Sequence, residues 1–276
     1  MCGGYMSVSR ISLDIDPEDV TEKITLFIRD KVKEANAEGI VVGLSGGVDS
    51  STVAFLSVKA LGPEKVLGLI MPTDVTQKED IEDAVNVAEL LKIKYEIINL
   101  SPVLKSFKEV LKKCEHFSEE NIVAFGNIHA RVRMILLYYH ANILNRIVAG
   151  TGNKSELLIG YFTKYGDGGV DILPIGDLYK TQVRQLARYL GVPEKIILKT
   201  PSAGLWEGQT DEGEIGITYD MLDKILYGMV DLKMDPKVLS ETLKIPIETV
   251  EKVKEMILKS EHKRNTPPVA KLTNKI

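Results

Sequence analysis

Apolar residues along this chain alternate between two periods. Val20, Ile24, Leu26, Phe27, Ile28 and Val32 recur at roughly helical spacing and predict a helix from Pro17 to Ala37, begun by Asp16-Pro17. The β-branched run Ile40-Val41-Val42 predicts a buried strand over 40–44. A helix over about 48–61 follows, and Gly62-Pro63 stops it. Residues 66–71 read as a second strand ended by Pro72, and 77–91 as a helix with Ile81, Val85, Ala88 and Leu91 on one face. A third strand over 95–100, a helix over about 102–114, a long apolar helix over 127–144 and a fourth strand over 147–151 come next. Beyond residue 170 the pattern turns helical, over 180–190, 218–229, 235–243 and 246–259.

Strands alternating with helices predict an α/β fold, a doubly wound and mostly parallel sheet flanked by helices, with a helical C-terminal part packed on it. No repeat or low-complexity linker interrupts the chain, so residues 1–276 are expected to form a single domain. Ligands of such sheets bind at the carboxyl ends of the strands. Two of the predicted ends carry small, polar loops.

The first is Gly43-Leu44-Ser45-Gly46-Gly47-Val48-Asp49-Ser50. Strand, glycine-rich turn and helix make a phosphate cradle: glycines let the backbone approach an anion, and N–H groups at the helix start bind it. No Gly-Lys-Ser/Thr closes the loop, so it is not a Walker A motif. Asp49 beside bound phosphates calls for a cation such as Mg²⁺ between them. A bare glycine turn before an ordinary helix is the bland alternative. The full Ser-Gly-Gly-x-Asp-Ser string instead resembles the pyrophosphate-binding loop of the N-type ATP pyrophosphatases. That resemblance implies cleavage of ATP between its α and β phosphates.

Composition narrows the class. With 276 residues, 44% of them hydrophobic, and a net charge of −4, the chain suits a soluble enzyme rather than a general nucleic-acid binder. No apolar run reaches membrane-spanning length, and the first residues lack the basic and apolar regions of a secretion signal, which points to the cytoplasm. Cys2 and Cys114 are too few for a disulfide framework. Met1-Cys2-Gly3 resembles the start of glutamine-hydrolysing enzymes. The nucleotide loop near residue 43 leaves no room for a glutaminase domain, so Cys2 is read as incidental. Lys259, His262, Lys263, Arg264, Lys271 and Lys275 against Glu261 make a basic stretch, either a solvated tail or an arm over an anionic ligand.

The second loop is Gly150-Thr151-Gly152-Asn153-Lys154-Ser155-Glu156. Thr151 suits a phosphate oxygen, and Glu156 suits a metal shared with Asp49. The following glycine-rich, aromatic segment Phe162-Thr163-Lys164-Tyr165-Gly166-Asp167-Gly168-Gly169 resembles the signature of NAD synthetases. Leu178-Tyr179-Lys180-Thr181-Gln182-Val183-Arg184, Pro201-Ser202-Ala203-Gly204-Leu205, Gly208-Gln209-Thr210-Asp211-Glu212 and Glu261-His262-Lys263-Arg264 extend the likeness from about residue 20 onward.

The resemblance implies an adenine nucleotide alpha hydrolase-like fold and an enzyme that makes NAD from deamido-NAD, ATP and ammonia. It implies that residues 43–50, Thr151, Lys180 and Ser202 contact ATP and that Asp49 and Glu156 hold Mg²⁺. It implies that Arg131, Lys164, Asp171, His262 and Lys263 contact deamido-NAD, across a homodimer formed on the long helix. Ser202 stands where many relatives have Thr, and Val48 where Gln is frequent; neither removes a charge the chemistry needs. Asp49 and Lys180 are the expected catalytic groups, with Asp171 a candidate proton acceptor and loop 204–216 a candidate lid. Without a glutaminase, ammonia would come free or from a separate protein. The alternatives are a GMP synthetase-like amidation, tRNA thiolation (poorly served by Cys114 alone) and a non-catalytic ATP sensor.

Overall fold

The computed structural model describes residues 11–206 and 208–272, so Cys2 and Lys275 lie outside the described residues. In chain order the elements are α1 (Pro17–Glu34), β1 (Ile40–Gly43), α2 (Val48–Leu61), β2 (Val66–Ile70), α3 (Lys78–Leu90), β3 (Lys94–Ile97) and α4 (Ser101–Leu111). There follow α5 (Ile122–Ile143), β4 (Ile147–Ala149), α6 (Lys154–Ile159), α7 (Lys180–Leu190), α8 (Glu194–Leu198) and α9 (Asp211–Ile215). The last are α10 (Tyr219–Leu226), α11 (Pro236–Leu243) and α12 (Ile247–Arg264), with a wide helical turn, Tyr227–Asp231, after α10.

The strands are parallel, in the order β3-β2-β1-β4. Their apolar runs are continuous because both faces are covered. Ile40, Val42, Val66, Ile70, Ile147 and Ala149 point into one core with α1, α2, α3 and α7. Val41, Leu67, Leu69 and Val148 point into the other, against α4 and α5. A third core joins α6 to α10, α11 and α12. The expected doubly wound sheet with a helical C-terminal part is thus what the chain forms.

Several boundaries differ from expectation, each for a local reason. The third strand stops at Ile97 rather than residue 100, because Asn99 Oδ1 accepts the Ser101 N–H at 2.9 Å and turns the chain into α4. The long helix starts five residues early, with Asn121 Oδ1 accepting the Ala124 N–H. It is not buried all round: Ile135, Tyr139 and Ile143 are 55%, 59% and 64% exposed. The last helix runs to Arg264, so the basic residues 262–264 are helical and not a frayed tail.

The chain reverses direction across the sheet between β1 and β4, which are neighbours reached by opposite excursions. Such a switch point opens a crevice at the carboxyl ends of the two strands. The loops at 44–47 and 150–153 flank that crevice.

Candidate active site

The cradle begins where β1 ends. Gly46 adopts φ +75°, and a Cβ there would stand 2.3 Å from the carbonyl oxygen of Asp80. Only glycine fits a turn pressed so closely on α3. Ser50 Oγ accepts the Ser45 N–H at 3.2 Å and donates to the Gly47 carbonyl at 3.1 Å, bracing the loop from within. No side chain caps α2, so its leading N–H groups, at the positive end of the helix, remain for an anion. These residues line a cavity of about 950 Å³ whose wall also includes Thr151, Glu156, Lys180, Arg133, Asp211 and Lys263.

Asp49 sits in the first turn of α2 and Glu156 in the first turn of α6. Asn153 locks the two together. Its side chain caps α6 through the Glu156 N–H at 3.1 Å, its own N–H donates to Glu156 Oε2 at 3.3 Å, and its Nδ2 donates to Asp49 Oδ1 at 3.1 Å. This is a capping box whose carboxylate also faces the cavity. Asn-x-x-Glu before an apolar pair is the sequence signal for this capping box, which gives Asn153 a place in the site that the sequence reading did not assign it.

Lys180 closes the arrangement. Its Nζ donates to Asp49 Oδ2 at 2.5 Å and Glu156 Oε1 at 3.2 Å, and its side chain is 3% exposed. Burial alone pulls Lys180 down, but Asp49 and Glu156 outweigh it and hold the ammonium above the ordinary lysine range. Burial pushes Glu156 up, against the attraction of Lys180, and neighbouring Asp49 and Asp211 push it further. Asp211, which the sequence likeness included without giving it a role, is a fourth charged group here. It is buried on the cavity wall, accepts from Tyr219 Oη at 3.1 Å through Oδ2, and leaves Oδ1 unpartnered.

The donor set fits a hard divalent cation. Two carboxylates already converge on one cationic group, the Lys180 ammonium. No group of three or more His, Cys, Asp or Glu side chains forms a metal cage among the described residues. Two carboxylates completed by phosphate oxygens are the usual environment of Mg²⁺ in nucleotide sites.

Ser202 is exposed near the far wall, where its Oγ donates to the Gln209 carbonyl at 2.7 Å. The segment expected to be a lid contains α9, and its Leu205 and Trp206 pack at 3.3 Å from the Cβ position of Gly126 on α5. Of the five residues expected at deamido-NAD, only Lys263 lines the cavity. Its Nζ donates to the carbonyls of Gly160 at 2.7 Å and Phe162 at 2.8 Å. Arg131, Lys164 and His262 form a cluster of their own outside it. Arg131 Nη2 donates to the Lys164 carbonyl at 3.2 Å, and Lys164 Nζ to the His262 carbonyl at 2.8 Å.

Asp171 is not brought to the cavity. Its oxygens accept from the Val148 N–H at 2.7 Å and Tyr138 Oη at 2.9 Å, so both are engaged in bracing β4 against α5.

The chain matches the NAD synthase family model over residues 20–267. It is 53% identical over 256 residues to a protein of Archaeoglobus fulgidus named NH(3)-dependent NAD(+) synthetase, covering 92% of this chain and 97% of that protein. It is 54% identical over 255 residues to the protein of the same name from Pyrococcus horikoshii, covering 92% and 94%. Among solved structures it resembles the NMN synthetase of Francisella tularensis (TM-score 0.82, 38% identity, 93% of this chain and 99% of that one). It also resembles the NH3-dependent NAD synthetase of Campylobacter jejuni in complex with the nitrate ion (TM-score 0.77, 35% identity, 93% and 100%). Matched over nearly its whole length, with the cradle and both carboxylates inside the matched span, the chain belongs to the NAD synthase family.

Proposed function

We propose that this protein is an ammonia-dependent NAD synthetase, forming NAD from deamido-NAD, ATP and ammonia in the cytoplasm. The observation that carries the reading is the convergence of Asp49, Glu156 and Lys180 at the switch-point crevice, beside an uncapped helix start. Residues 43–50, Thr151 and Ser202 bind ATP. Asp49 and Glu156 would hold Mg²⁺, which would supply Lewis-acid stabilisation of the phosphate oxygens. The nicotinate carboxylate attacks the α-phosphorus, the bond to the bridging oxygen breaks, and pyrophosphate leaves. The N–H groups of the cradle and the Lys180 ammonium stabilise that leaving charge. Ammonia then attacks the acyl-adenylate carbonyl and expels AMP. The proton lost from ammonium is not assigned to Asp171, whose oxygens are engaged.

Arg131, Lys164, His262 and Lys263 serve the anionic dinucleotide. The first three stand outside the cavity, Arg131 and Lys164 beside the exposed apolar face of α5. Two copies pair through that face, so the dinucleotide lies near the subunit boundary. The whole chain acts as one catalytic unit supplied with free ammonia or by a separate ammonia-producing protein.

A second reading is favoured by the likeness to a protein titled NMN synthetase, which would take nicotinate mononucleotide in place of deamido-NAD. The experiment is one incubation of purified protein with ATP, Mg²⁺ and ammonium, with either acid substrate. NAD, AMP and pyrophosphate are expected from deamido-NAD. ADP as product would sink the mechanism, and faster turnover of the mononucleotide would favour the second reading. Glutamine as the only nitrogen source is expected to give no product.

A further inference from the structure

The cation of the site sits on the first residue of α7, a position whose backbone N–H has no partner within its own helix. The preceding Tyr179 does not supply one, since its hydroxyl donates to Asp231. The partners come from elsewhere. Asp223, on α10, accepts the Thr181 N–H through Oδ2 at 2.8 Å. Through Oδ1 it accepts the Ser155 hydroxyl at 2.5 Å, and Ser155 Oγ in turn accepts the Lys180 N–H at 2.9 Å. Asp223 and Ser155 are both completely buried. Ser155 immediately precedes Glu156 in α6.

One carboxylate therefore fixes the backbone at Lys180 and beside Glu156 together. It does so from a surrounding of Leu222, Ile225 and Leu226, each fully buried, where a charge is costly to keep. Burial pushes Asp223 above the usual carboxylate range, opposed by the bonds from Ser155 and Thr181. Packing alone would be served by an apolar residue; the carboxylate's bonds go to the two helix starts that carry the reacting charges.

We infer that Asp223 is a positioning residue for the catalytic lysine, acting through Ser155 to set where Lys180 stands relative to Glu156. Asp223 thereby sets the phosphate-handling groups without itself lining the cavity. The inference rests on the proposed function only for the catalytic role of Lys180.

The test compares Asp223→Ala, Ser155→Ala and Asp223→Asn. Misplacement by a fraction of an ångström to an ångström lowers kcat by up to about 10²-fold. Asp223→Ala and Ser155→Ala are therefore expected to lose kcat on that scale, with KM for ATP within about twofold of wild type. Asparagine can accept the Thr181 N–H and donate to Ser155 Oγ, which still accepts from Lys180. That conservative variant is expected to keep kcat within about threefold.

A readout independent of turnover is amide hydrogen exchange. Exchange at residues 180 and 181 is expected to rise in Asp223→Ala while α2 stays protected. Wild-type kcat in Asp223→Ala, or unchanged exchange at 180 and 181, overturns the inference. So does a loss of kcat that tracks thermal stability across all three variants, asparagine included, which would make Asp223 a plain fold stabiliser. If the wild type makes no NAD, the proposed function fails by itself, and the exchange data still decide the placement of α7.

Discussion

Replacing Lys180 by Met tests the electrostatics of the site in a single step. The ammonium lies 2.5 Å from Asp49 Oδ2 and 3.2 Å from Glu156 Oε1, almost sealed from water. A metal ion that enters between these carboxylates must first displace it. Removing one partner of a buried ion pair leaves uncompensated charge, at a cost of about 3–5 kcal/mol. Asp49 and Glu156 are 17% and 16% exposed, so water relieves part of that cost. A discounted figure of about 1.5–3 kcal/mol then becomes available to an incoming cation, or about 10–100-fold in affinity. In the absence of nucleotide, Lys180→Met should therefore bind Mn²⁺ about 10–100-fold more tightly than wild type, read by calorimetry or by the loss of free-Mn²⁺ resonance. Its rate of pyrophosphate release should fall by at least about 10²-fold, because the phosphate-facing cation is gone. Equal or weaker Mn²⁺ binding by the Met variant would show that Lys180 does not guard the carboxylates.

Three further outcomes follow from separate features. Gly46→Ala places a Cβ 2.3 Å from a backbone oxygen at φ +75°, so it should cost about 2–4 kcal/mol and lower Tm by roughly 5–10 °C; an unchanged Tm would contradict the tight turn. His129 is buried with neither ring nitrogen bonded, and burial, aided by Arg133, draws it from 6.5 down to about 4. Above pH 6.5 it is neutral folded or unfolded and has no effect; between 6.5 and 4 the unfolded chain takes a proton that the folded chain refuses. Stability should thus decline as pH falls through that window, by up to about 3 kcal/mol, and His129→Leu should flatten the decline in a pH series of denaturant melts. Ile135→Asp with Tyr139→Asp should convert the proposed dimer to monomer in light scattering, while a monomeric wild type would remove the pairing through α5.

The legibility of the chain differed from element to element. β1, β2 and β4 were readable because both faces of a parallel sheet are covered, which leaves β-branched runs with sharp polar ends. The start of α5 was not, since Gly126 breaks the helical signal; its small size serves the packing of Leu205 and Trp206, which no local window contains. The five- and six-residue helices α6, α8 and α9 are shorter than two turns, too short to show a period. Asp49 and Glu156 could be paired from their strand-end loops alone. Lys180 reached them only through the family likeness, because its helix follows β4 by about thirty residues of loop and short helix and meets α2 only in the assembled fold. Asp211 fell within a stretch that resembles the family but was given no role, and Asp223 carried no signal, both being acids in a stretch rich in acids. What distinguishes them is burial, a property of the helical part as assembled.

The six-residue α6, which carries Glu156, ends on carbonyls that its own neighbourhood leaves open. Arg264 supplies bonds to Leu157 and Leu158, and Lys263 to Gly160, across sequence separations of 103 to 107 residues. During synthesis, the helix that carries Glu156 therefore stays without its closing bonds until some hundred further residues have been added. A nascent chain with its whole sheet made thus still lacks the bonds that close the C-terminal end of α6, and these arrive only with α12.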